Sequence, residues 1–193
     1  SGNRTVLPVI ERAWTDFTQG TLTATGNPLD LALEGKGLLA VNSPGGIIYT
    51  RTGNLRIVAS GELQTREGYP VRAVGGGTIK ADPTRPIEVQ TTGEVSQSGQ
   101  VLGRLEVVEF SRPDALAKQG GSYFRLASPD AAAQPAQNTT VHQGKLESSN
   151  ANPADCAVRL VSVMRQFEML QKALALGGEM NRRAVEEVAR VSS

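Results

Sequence analysis

From Asn152 to the end of the chain, apolar side chains recur at spacings of four and three. Cys156, Leu160, Val163, Phe167, Leu170 and Leu174 mark this seam, which runs on through Gly177 and Asn181 to Ala184, Val188 and Val191. That period belongs to a helix that packs against other helices. Asn152 suits an N-cap, Pro153 suits the first helical position, and Asp155 stands three residues beyond the cap. A second series, Met169, Ala173, Leu176 and Met180, reads as a stripe beside the first. The helix would be about 55 Å long at 1.5 Å per residue. A β domain of about 120 residues is only about 30 to 35 Å across. The seam therefore predicts helical partners, with the six residues from Cys156 to Leu174 at the interface. Gly177-Gly178 costs about 2 kcal/mol against alanine and leaves a kink, a break or a close crossing open.

Upstream, the period shortens and glycine turns multiply. Leu29, Leu31 and Leu33 alternate with Asp30, Ala32 and Glu34, which predicts a half-buried strand. Gly35-Lys36-Gly37 turns the chain into an apolar strand over 38–41, and Pro44-Gly45-Gly46 turns it again into 47–50. Further strands are expected over 55–58, at Leu63, over 69–74, 78–80 and 87–89, at Val95 and over 123–126. The longest is expected over 101–110. Residues 113–119 read as one helical turn and 128–138 as a mobile surface loop, with 140–146 returning to the body. Near the start, Val6, Leu7, Val9 and Ile10 read as a short strand, with Trp14 and Phe17 as anchors on the body.

Turn signals every eight to twelve residues or so predict a mainly β protein, an irregular all-β barrel or sandwich body, followed by the long C-terminal helix. The expected organisation is an N-terminal segment over 1–26, a β-rich domain over 27–150 and a helix over 151–193. Gly35, Gly37, Gly53 and Gly68 are the expected structural turn residues, since a positive φ is costly for residues with a Cβ.

Charge and composition narrow the chemistry. Twenty basic residues against nineteen acidic ones leave a formal net charge of +1, which argues against a nucleic-acid partner. No apolar run reaches the roughly 18 to 20 residues that cross a membrane, so no membrane insertion is expected. Aromatic residues make up only 4%, low for a ligand- or base-stacking protein. Cys156 has no partner for an internal disulfide and reads as a small seam residue. His142 is the one histidine, and no spacing offers it a triad or a metal set. The glycines at 75–77 lack the phosphate-binding spacing, and Gly35-Lys36-Gly37 lacks the rest of a P-loop. No catalytic, metal or cofactor-binding residue is expected, and no enzymatic activity.

Several separated stretches resemble the flagellar basal-body rod and hook family, especially rod proteins of the FlgF and FlgG type. They are residues 26–37 (Gly-Asn-Pro-Leu-Asp-Leu-Ala-Leu-Glu-Gly-Lys-Gly), 49–55 (Tyr-Thr-Arg-Thr-Gly-Asn-Leu), Gly61-Glu62-Leu63 and Gly68-Tyr69-Pro70-Val71. Near the end, 143–152 (Gln-Gly-Lys-Leu-Glu-Ser-Ser-Asn-Ala-Asn) and Arg165-Gln166-Phe167-Glu168-Met169 match the family's C-terminal signature, the latter leaning to the FlgF type of the proximal rod. Leu38-Leu39 replaces a usual aromatic pair and Ala151 a usual valine. The resemblance implies a structural subunit of the periplasmic rod, exported through the flagellar type III apparatus without a cleaved signal. It implies helical stacking with itself and other rod subunits through paired terminal helices, to transmit torque. Ser1-Gly2 reads as the remnant of a removed tag, and the family's N-terminal helix is expected to be missing from this chain. A hook or distal rod subunit is the nearest alternative. An enzyme would need convergent polar residues in a cleft, and a secreted binding module would keep its binding after loss of 153–193.

Overall fold

The structure, a computed structural model, describes residues 16–127, 132–150 and 153–191. The chain divides into two compact units, Ser1–Asn150 and Ala151–Ser193. The strand expected at Val6–Ile10, Trp14 and the Asn152 cap lie outside the described residues.

The first unit is built of short strands: β1 (Leu22–Ala24), β2 (Asp30–Glu34), β3 (Leu38–Ser43), β4 (Gly46–Thr50), β5 (Gly53–Ile57), β6 (Leu63–Thr65), β7 (Glu88–Val89) and β8 (Glu94–Gln97). They continue as β9 (Gln100–Arg104), β10 (Val107–Glu109), β11 (Leu116–Gly120), β12 (Tyr123–Leu126), β13 (Gln134–Pro135), β14 (Thr140–Gln143) and β15 (Lys145–Glu147). They form a six-stranded sheet in the order β11-β12-β4-β3-β10-β13, a four-stranded sheet β14-β2-β5-β6, a three-stranded sheet β7-β8-β9 and a ribbon β1-β15. Every ladder is antiparallel. The body is mainly β, as the turn spacing predicts, and its sheets do not close into a barrel.

One apolar core joins the sheets. Leu31 and Leu33 from β2, Leu39 and Val41 from β3, Leu63, Val71, Ile79, Val95, Leu105 and Val141 are buried in it. The unbroken run Leu38-Leu39-Ala40-Val41 explains why β3 is central: its other face, Leu38 and Ala40, packs with Tyr49 and Val108 into a smaller cluster. Phe110 closes that cluster edge-on to Tyr49, with ring centroids 4.9 Å apart.

Several expectations change on folding, among them the strand over 78–80, which is reduced to single bridges at Thr78 and Lys80. β2 is buried on both faces rather than one: Asp30 and Ala32 are as enclosed as Leu31 and Leu33, and the Asp30 carboxylate accepts a hydrogen bond from Asn54 Nδ2 at 3.0 Å. The long strand over 101–110 breaks into β9 and β10. Its partners switch there, since Leu105 N–H donates to Gly93, Glu106 N–H to Arg72, and Val107 pairs with Leu39. Residues 69–74 make single bridges to several segments (Pro70 to Gln64, Val71 to Val41, Arg72 to Thr78, Ala73 to Leu105) and so stitch sheets together without forming a strand in any. The turn over 113–119 shortens to a 3-10 turn at Pro113–Ala115 followed by β11, and the segment read as a loop contributes β13, paired to Val108 and Glu109.

Gly35 and Gly68 have positive φ, at 117° and 97°. Gly37 and Gly53 do not; a close neighbour demands glycine there. A Cβ on Gly53 would lie 1.9 Å from the Leu31 carbonyl oxygen.

Candidate assembly interface

The second unit is one helix, α1 (Pro153–Val191), 39 residues long. Pro153 is its first residue, where a missing N–H costs nothing. The seam residues in it are solvent-facing: Leu160 is 62%, Val163 60%, Phe167 60%, Leu170 63% and Leu174 76% exposed, and Cys156 is exposed with them. At 3.6 residues per turn these six span an arc of about 80°. Met169, Ala173, Leu176 and Met180 of the second stripe are also exposed and, with Val158, fall in an arc of about 60° on the far side of the helix. The second stripe therefore lies opposite the first, not beside it, and α1 is apolar on two sides. Gly177 and Gly178 do not interrupt the helix, and nothing lies within 4 Å of where their Cβ atoms would be. The Ser162 hydroxyl bonds back to the Val158 carbonyl.

The first unit receives and releases the chain at one place. β1 runs antiparallel to β15, pairing Leu22 with Glu147 and Ala24 with Lys145. Asn150 Nδ2 donates to the carbonyl oxygens of Asp16 and Thr18 and to the Thr18 hydroxyl. Phe17, expected as an anchor, rests its ring 5.3 Å from that of Phe124. Beneath the ribbon stands Arg51. Its Nε donates to Glu147 Oε2 at 2.5 Å, its Nη1 to the Gly37 carbonyl at 2.6 Å and its Nη2 to the Leu33 carbonyl at 2.7 Å. Glu147 Oε1 accepts the Gly20 N–H at 2.8 Å. Gln19 closes the ring by donating to Leu33 and accepting the Gly35 N–H.

Elsewhere, Tyr123 pairs with Glu67 and His142 with Glu34. Tyr123 O–H donates to Glu67 Oε2 at 2.5 Å, at the edge of a cavity of about 290 Å³ that Tyr69 and Gly120-Gly121 also line. That bond holds the Glu67 carboxyl below its ordinary range. Burial, with the same carboxylate, pushes the Tyr123 phenol well up. His142 Nε2 meets Glu34 Oε2 at 2.7 Å on the exposed face of β14. Among the described residues, no three His, Cys, Asp or Glu side chains are grouped to hold a metal, and no helix is long and apolar enough to cross a membrane.

Two family models match in chain order. The first, the flagellar hook protein FlgE/F/G D1 domain, covers residues 32–101. The second, the C-terminal region of flagellar basal body rod FlgEFG proteins, covers 142–187. The flagellar basal-body rod protein FlgF of Caulobacter vibrioides is 38% identical over 181 residues, which span 92% of this chain and 72% of that protein. The chain belongs to the flagellar basal-body rod protein family. The FlgF protein of Mesorhizobium japonicum is 33% identical over 77% of this rod protein and 62% of its own length. FlgG of Bacillus subtilis is 32% identical, over 81% and 64% respectively. The rod protein is FlgF-like, and its place is the flagellar basal body. The family is structural.

The D1 match contains Gly37, Arg51, Gly53 and Gly68, and the C-terminal match contains Glu147 and the six seam residues from Cys156 to Leu174. Arg51 and Glu147 both lie inside the stretches that carry the resemblance, but no local spacing announces their pairing: 96 residues separate them. An arginine bounded by threonines beside a glycine turn was the available signal.

Proposed function

We propose that this rod protein joins the rod by packing α1 against helices of neighbouring subunits. The supporting observation is the exposure of Leu160, Val163, Phe167, Leu170 and Leu174 along one side of a single helix. Each would contribute about 25 cal/mol per Å² of apolar area covered. The opposite stripe of Val158, Met169, Leu176 and Met180 suits a helix with neighbours on two sides, as in a layered tube. Its partners are further copies of itself and other rod subunits, reached through the flagellar type III export apparatus, and stacking is helical so that torque passes along the axis. The role is mechanical and not catalytic: Tyr123 and Glu67 engage each other and need no substrate.

Leu170→Asp tests this. The expected outcome is an unchanged unfolding transition of the β body and loss of rod incorporation, read as absent rods in basal bodies isolated from cells carrying only that variant. Normal motility of those cells would refute the proposal.

A further inference from the structure

We propose that Arg51 is the joint that locks the paired incoming and outgoing strands onto the β body, so that the ribbon moves with the body instead of hinging on it. The joint itself follows from geometry. Its role in passing torque rests on the rod reading above.

The ribbon needs such a joint. β1 and β15 have three residues each, and an isolated two-stranded ribbon is marginal in water. Apolar burial does not hold it: Thr23 and Ala24 are exposed, and every residue of β15 is only half-buried. The outgoing chain leaves the four-stranded sheet at Gly144, whose N–H still donates to Asp30. Past Gly144, the Arg51–Glu147 pair, with side chains 22% and 11% exposed, ties β15 to the body.

The guanidinium suits the position because its fork offers donors in fixed directions. One arm takes the carboxylate of β15; the other two take carbonyls at the end of β2 and in the turn after it. The same carboxylate holds the incoming strand through Gly20 N–H. Gly20 permits this closeness, since a Cβ there would meet the Ser148 carbonyl oxygen at 1.9 Å. Gln19 shares the Leu33 carbonyl with Arg51, so incoming strand, body and outgoing strand form one closed circuit. A lysine could supply charge to Glu147 but could not reach three acceptors in those directions.

Amide hydrogen exchange on the full chain tests the joint, comparing the parent with Arg51→Ala, Arg51→Lys and Glu147→Gln. The Ser148 amide, bonded to Thr21 in the ribbon, and the Val71 and Leu105 amides, bonded within the body, are the reporters. Ser148 is expected to exchange at least tenfold faster in both Arg51 variants, with Val71 and Leu105 unchanged. Glu147→Gln keeps the two carbonyl bonds of Arg51 and provides the test if the arginine variants do not fold; it too should speed Ser148 selectively. An unchanged Ser148 rate, or an equal rise at Val71 and Leu105, overturns the joint. In cells, Arg51→Ala should leave rod number intact and cut swimming speed at least twofold more in viscous medium than in dilute medium. Loosened ribbons with undiminished swimming in viscous medium overturn the torque role alone, whereas the rod reading itself stands or falls with Leu170→Asp.

Discussion

Leu31, Leu33 and Leu39 in the β body are at most 1% exposed, while Leu160, Leu170 and Leu174 in α1 are between 62% and 76% exposed. The same side chain does two jobs. In the body it is spent on folding, which must be complete within one chain because a small domain has little stability to lose. In α1 it is held in reserve for association. The polar groups divide likewise: Asp30, Thr50, Thr65 and Gln97 are buried in the body and bonded there, whereas α1 has no such network among its described side chains.

The sharpest way to break this contrast is to make one truncation in each region. Leu39→Ala should lower the stability of the body by about 2 to 5 kcal/mol, through lost burial and a cavity. Leu174→Ala should leave the body within about 0.5 kcal/mol of the parent. Denaturant titration monitored at the body's tyrosines checks both, and equal effects would erase the distinction. Next comes a paired glycine substitution. Gly53→Ala drives a methyl into the Leu31 carbonyl and should cost more than about 2 kcal/mol. Gly177→Ala meets open space inside a helix and should stabilise α1 by about 1 kcal/mol, seen as raised helicity by circular dichroism. One substitution, two signs, separates close packing from open helix.

The smallest effect is on pH dependence, and it belongs to the body alone. Glu67 is held ionised in the folded protein chiefly by the Tyr123 hydroxyl. Its contribution is present above the ordinary glutamate range and is lost as pH falls through the lowered value. Tyr123 is raised, by burial first and then by Glu67. Its contribution is complete below the ordinary tyrosine range and is lost as pH rises through the raised value. Tyr123→Phe should therefore flatten the melting-temperature profile at both extremes, with the helicity of α1 following the parent throughout.

What could be read beforehand follows the range of each interaction. β3, β4 and β12 announce themselves through local apolar runs between turns, and α1 through its period. β1 and β13 do not, because Leu22–Ala24 and Gln134–Pro135 become strands only by pairing with Lys145–Glu147 and Val108–Glu109 far away in the chain. The break at Leu105 is hidden for the same reason: its cause is a change of partner. The seam was visible because helical spacing is local. The circuit around Arg51 is not, since its partners are brought together only by the completed fold.

The rims of the six-stranded sheet carry a consequence for a protein that polymerises. At one end stands Pro135, which has no N–H to offer a further strand. At the other, β11 exposes Lys118 and slips register between Lys118 and Gly120. Both borders thus repel edge-to-edge accretion, so filament growth is steered away from amyloid-like stacking of the sheets and left to the helices.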